Sequence, residues 1–319
     1  MSLPAGWKSH LDELADCQPW PRYYHFRAAE MDLVQALCPL PRGGTMLELG
    51  CGNAFHSYLL SARFDLVIAT DLDRPDPATH TIGLDRARAL GRILSFRSLR
   101  LAAASAEALP LADGSIDFVF SSNVLEHVPR QCRAVREIHR VLKPGGQCLT
   151  VVPAAMERVY NFPISYVQVA ASMLRGVRKH RRERGIPSAR QSPEAASGTG
   201  AAAPGNGFLG KARRFFRVHY PGFPFPKPHG EYRSSTEELL AHRPARWVSL
   251  FSGAGFRIQQ TFTTILAPNT LGMAVSPALA YWIARAGWPL TRRLGGMPFF
   301  RSVGTSFAIL AVRDSEERK

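Results

Sequence analysis

The run Met46-Leu47-Glu48-Leu49-Gly50-Cys51-Gly52-Asn53-Ala54 decides the fold. Its apolar residues lead straight into two glycines one residue apart, the pattern of a buried strand that turns tightly into a helix. Glycines at such a turn let the backbone come close to a ligand. Asp71 and Asp73 stand about twenty residues past Gly50, at the end of the next apolar run, Leu66 to Thr70. An acid there can accept both hydroxyls of an adenosine ribose. A dinucleotide fingerprint would need a third glycine at position 55, where this chain has Phe55. The loop therefore suits an adenosine cofactor without phosphates.

Working outward, residues 7 to 38 read as helical, with Leu11, Leu14, Met31, Val34 and Leu37 at helix spacing. Pro39, Pro41 and Gly43-Gly44 end that segment. Downstream, Leu66–Thr70, Leu99–Ala103, Phe118–Ser121 and Cys148–Val152 read as strands. A helix starting near Pro129 aligns Cys132, Val135, Ile138 and Leu142, and Gly145-Gly146 closes it. Near the end, one helix runs from Thr236 through Trp247, Leu250 and Phe251 to Gly253, followed by strands at Phe256–Thr264 and Ser306–Val312. Alternation of strand and helix implies a parallel sheet covered on both faces. The expected class is α/β: a Rossmann-like, seven-stranded, mostly parallel sheet with helices on both faces, plus inserted basic and apolar helical segments.

The expected organisation has four parts. Residues 1–40 form an N-terminal helical cap and 41–155 the cofactor-binding core. Residues 156–233 are a basic insertion, with a disordered Ala/Gly/Ser/Pro-rich linker near 188–207. Residues 234–319 complete the sheet and carry an apolar helical insertion near 266–300.

Charge is divided unevenly along the 319 residues. Residues 1–155 hold 16 Lys/Arg and 16 Asp/Glu, while 156–319 hold 24 and 9, so the whole net charge of +15 lies in the second part. That asymmetry points to an anionic partner. The five cysteines form no close pair and show no zinc-ligand spacing, so no metal is expected, and a reduced compartment fits them. Asp12, Glu13 and Asp16 interrupt the first twenty residues, which argues against a secretory signal. A cytoplasmic protein, peripheral at the inner face of the membrane, is expected.

LELGCGNA (47–54) resembles the first motif of class I S-adenosylmethionine-dependent methyltransferases. ASAEALPLADGSIDFVFSSNVLEHV (104–128) is similar to their fourth-strand segment, and EIHRVLKPGGQCLTVVP (137–153) to their fifth helix–strand unit. The resemblance covers roughly residues 25–155, and Trp247–Thr264 is similar to the sixth unit. It implies S-adenosylmethionine as cofactor. Glu48 and the backbone of Gly50, Cys51, Gly52 and Asn53 would then hold the methionine moiety. Asp71, with Leu72, would bind the ribose, Ser105, Ala106 and Glu107 would lie beside the adenine, and Asn123 would sit under the sulfonium. Two positions depart from the family pattern: Ala54 stands where glycine is common, and Ser105 where aspartate often contacts the adenine amino group.

Methyl transfer needs alignment and exclusion of water, and an oxygen acceptor needs a base titrating near neutrality. His127, after the fourth strand, and His229, in Pro-His-Gly-Glu-Tyr (228–232), are the candidate bases. No charged residue lies between Arg257 and Arg285; Trp288 and Arg292-Arg293 follow. This segment reads as an interfacial helix, with a spanning helix or a lid or dimer helix as alternatives. The expected acceptor is a small molecule or a lipid-linked compound methylated at oxygen, at an anionic membrane surface. The fourth-strand loop, Ser121-Ser122-Asn123-Val124, lacks the polar-Pro-Pro-aromatic pattern of base aminomethylating enzymes. RNA methylation and a non-catalytic membrane-associated scaffold are the alternatives.

Overall fold

The structure, a computed structural model, describes residues 4–18, 23–73, 83–95, 98–157, 159, 232–264 and 277–315. They belong to one compact unit, Met1–Tyr160 with Pro228–Lys319. Seven strands form one sheet: β1 (Thr45–Leu49), β2 (Leu66–Asp71), β3 (Leu99–Ala103), β4 (Ile116–Ser122), β5 (Leu142–Pro153), β6 (Phe256–Phe262) and β7 (Ser306–Arg313). Their order is β3-β2-β1-β4-β5-β7-β6. Pairing is parallel from β3 through to β5, and β7 runs antiparallel to both neighbours. The order reverses between β1 and β4, so ligands are expected at the carboxyl ends of these two strands.

Strand alternation divides the core between the two faces. Met46, Phe118 and Phe120 pack with Trp7, Leu14, Met31 and Phe55 on one side. Leu47, Leu49 and Val119 pack with Val135, Ile138, Trp247 and Phe251 on the other. The first layer is built by α1 (Leu11–Cys17), α2 (Tyr23–Leu37), α3 (Phe55–Leu60) and α4 (Asp85–Ile93); α5 (Gln131–Val141), α6 (Ser235–Ala241) and α7 (Pro244–Gly253) follow in the chain. α5 and α7 supply the second layer. Two further helices, α8 (Pro277–Leu294) and α9 (Pro298–Val303), precede β7.

Three details differ from the sequence reading. The helix expected from Thr236 to Gly253 is two helices. Ser234 caps α6 by accepting the Glu237 N–H, and Pro244 at the first turn of α7 forces a break. The helical stretch expected over residues 7–38 is a 3-10 turn (Gly6–His10) followed by α1 and α2. β5 begins at Leu142, before the glycines expected to close α5. Leu142 already pairs with Ile116, the register then shifts, and Lys143 grips Asp117 at 2.7 Å. The expected linker at 188–207, residues 160–231 of the basic insertion and residues 266–276 lie outside the described residues.

Candidate active site

β1 ends at a loop whose backbone only glycine accepts comfortably. Gly50 has φ +62, and a Cβ there would overlap the Val124 side chain from the loop after β4. The two loops are therefore pressed together. Ala54, where glycine is common in the family, also sits at a left-handed φ of 60, as does Asn123 at 55. Non-glycine residues rarely occupy that region, and strain of this kind clusters at ligand sites.

Between these loops lies a cavity of about 300 Å³. Its wall brings together Gly50, Cys51, Gly52, Asp71, Leu72, Ser105, Ala106, Glu107, Asn123 and His127 from four separate segments. Glu48 and Asn53 are buried but do not form its wall. His229 lies outside the described residues. Tyr23, Arg27 and His56 join the wall and were not singled out in the sequence.

Asp71 braces the loop: one carboxylate oxygen accepts the Gly52 N–H at 2.8 Å and the other the Leu72 N–H at 2.8 Å. Burial pushes its carboxyl above the usual range; the two N–H bonds oppose that and the Glu48 charge adds to it. Each oxygen retains lone-pair capacity for a hydroxyl. Burial, with the Glu48 and Asp71 charges, raises the Cys51 thiol well above its ordinary value, so it stays neutral and unreactive.

Glu48 accepts the Ser57 hydroxyl, and His56 Nδ1 lies 3.6 Å from its other oxygen. The far nitrogen of that ring, Nε2, is buried without a partner on the cavity wall. Glu107 is fixed by Arg130 through the backbone N–H at 2.9 Å and Nε at 2.6 Å. Burial alone would raise the Glu107 carboxyl, but Arg130 and Arg133 hold it below the usual range. Ser105 Oγ accepts the Glu107 N–H at 3.2 Å, so this serine shapes the turn. Arg27, half-buried, donates to Glu30 at 2.7 Å, while its buried Nε has no acceptor.

These groups fit S-adenosylmethionine. Asp71 offers acceptors for a ribose diol, Gly50 a surface without a side chain, and Arg27 Nε a buried donor for the amino-acid carboxylate. The volume lies at the lower end of the usual ligand range.

Residues 47–150 match the family model described as a methyltransferase domain. Residues 47–150, about a third of the chain, thus form a methyltransferase domain. Over 146 residues, 45% of this chain and 18% of the relative, it is 33% identical to a tRNA (carboxymethyluridine(34)-5-O)-methyltransferase of Mus musculus. Over 112 residues, 34% of this chain and 36% of the relative, it is 38% identical to a malonyl-[acyl-carrier protein] O-methyltransferase of Methylococcus capsulatus. The matches thus span well under half the length of these curated relatives. A solved Haloferax volcanii methyltransferase, in complex with the Trm112 methyltransferase activator, shares the fold at TM-score 0.50 and 15% identity, covering 98% of both chains.

Arg27 reaches the methyltransferase site from α2, outside the matched residues. No local pattern marks it. His56 lies two residues past Ala54 in the first turn of α3, and its adjacency to the glycine loop was a usable signal.

Proposed function

We propose that this chain methylates an oxygen atom of a small-molecule or lipid-linked acceptor at a membrane surface. The observation that carries the reading is His127 on the cavity wall, in the 3-10 turn Leu125–His127 that follows β4. Both curated relatives bear names that specify transfer to oxygen, which supports that choice of atom.

S-adenosylmethionine, when bound, supplies a methyl group already activated by a sulfonium. Asp71, Gly50, Gly52 and Arg27 would hold it in place for transfer. His127 would hold the acceptor's hydroxyl and take its proton during transfer. Glu126 Oε1 lies 3.9 Å from His127 Nε2, beyond hydrogen-bond reach.

Calorimetric titration of S-adenosylmethionine into wild type and Asp71→Ala tests the cofactor half. Binding that weakens at least tenfold in the variant is expected; equal binding refutes the ribose role. Labelled methyl transfer into lipid extract, phenolic compounds and tRNA tests the acceptor half. Label in tRNA alone refutes the small-molecule or lipid reading.

A further inference from the structure

Seven large hydrophobic side chains are exposed among the described residues, and four of them sit on or between α8 and α9. These are Trp282 at 53%, Leu290 at 52%, Met297 at 48% and Phe299 at 68% exposure. The other three, Leu72, Val159 and Leu240, are scattered. An apolar ridge of this kind marks an interaction surface.

Arginines line the same ridge. Arg285, Arg292 and Arg293 are exposed on α8, with Arg285 over the Trp282 ring at 5.7 Å. Arg292 and Arg293 have no carboxylate partner among the described residues. No acidic residue occurs from Pro277 to Arg313. The groove between α2 and α8 continues the pattern, with Trp288, Pro289 and the arginines facing Ala29, Asp32 and Leu33. Asp32 is its single acid against three arginines, so the groove is cationic.

We propose that the α8–α9 face docks on an anionic phospholipid bilayer. Leu290, Met297 and Phe299 enter the boundary between headgroups and acyl chains, and Arg292 and Arg293 meet lipid phosphates. Aromatic and aliphatic side chains beside unpaired arginines are what such an interface accommodates. A second copy of the chain fits poorly, because a two-fold contact would set these arginines against one another with no acid between them. A nucleic acid would satisfy the arginines and leave the aliphatic ridge in water. No helix among the described residues is long and apolar enough to cross a membrane. α8 also has Arg285, Pro289, Arg292 and Arg293 along its length, so it lies on the surface.

The surface is close to the site. α2 carries Arg27 on the cavity wall and Asp32 in the groove, five residues or about 7.5 Å along the helix axis. α2 is thus common to the groove and the cavity wall, and an acceptor with a lipid tail would reach the site along it. That last link rests on the proposed acceptor; docking itself does not, and is measured without turnover.

The test is sedimentation of the full chain with phosphatidylcholine vesicles and with vesicles carrying 30% phosphatidylglycerol, in 0.15 M salt. Binding to the anionic vesicles alone is expected. Arg292→Gln with Arg293→Gln should lower the partition constant about 30-fold. Phe299→Ser with Met297→Ser, both at exposed positions, should weaken it too, while S-adenosylmethionine affinity and circular dichroism stay unchanged. Anionic-vesicle binding that survives both double variants overturns the proposal, because another segment must then dock. Failure of wild type to bind vesicles also overturns it. So does a dimer that Phe299→Ser dissociates, or RNA binding abolished by the arginine variants with vesicles inert.

Discussion

Glu126→Gln should abolish a pH dependence of stability centred on one buried carboxyl. Glu126 sits in the 3-10 turn Leu125–His127, 2% exposed, with Oε2 lacking any hydrogen-bond partner. Burial pushes its carboxyl up from 4.5 to about 8, and the Glu157 charge adds to the rise. The other titrating groups facing it are His127, at 3.9 Å, and Tyr232. In the unfolded chain the group ionises near its ordinary value, so between pH 4.5 and 8 the folded state holds a proton that the unfolded state has released. Stability must then fall as pH rises through that window, at 1.36 kcal/mol per pH unit. Over the whole span this amounts to about 5 kcal/mol. Glutamine keeps the shape and cannot ionise. The variant should match wild type near pH 4.5 and exceed it by up to about 5 kcal/mol at pH 8.5. Urea unfolding at pH 5, 7 and 8.5, followed by tryptophan fluorescence, gives the difference between the two proteins. A difference that stays constant from pH 5 to 8.5 would refute the reasoning.

Gly50→Ala should unfold or badly weaken the loop, since its φ of +62 is costly and the new methyl overlaps Val124. We expect a loss of about 2 kcal/mol or more in thermal melts, together with loss of S-adenosylmethionine binding in calorimetry. Unchanged melting would show that the two loops are not in contact. Arg27→Lys keeps a positive charge beside buried Glu30 but removes the Nε donor. Its affinity for S-adenosylmethionine should fall roughly five- to tenfold, consistent with one charge-assisted hydrogen bond. Affinity for methylthioadenosine, which lacks the amino acid, should not change; an equal loss for both compounds would remove Arg27 from the carboxylate site.

The sheet and the glycine loop were legible because their signals are local. Met46, Leu47 and Leu49 run into Gly50, and the strands at Leu66 and Leu99 begin where the apolar runs begin. Asp71 was legible through its spacing and now braces Gly52. What escaped depends on contacts between distant segments. Arg27 is one of several arginines in sequence, and only the packing of α2 against α3 brings it to the cavity. The start of β5 at Leu142 is decided by Ile116 and Asp117, 26 residues away. The split at Pro244 could have been read, since proline belongs to the first turn of a helix and excludes the middle of one. The helical spacing of Trp247, Leu250 and Phe251 masked it.

The position of β7 has a consequence for synthesis. This strand fills the slot between β5 and β6, pairing Pro153 with Ser306. At ~5–20 residues per second, the ribosome takes about 8–30 s to make the 153 residues that separate them. Throughout that interval β5 presents an open, strongly apolar edge, and such edges recruit strands from other chains. The nascent chain is therefore most exposed to aggregation late in its own translation. A chaperone holding β5 until Ser306–Arg313 emerges would cover that edge for the whole interval.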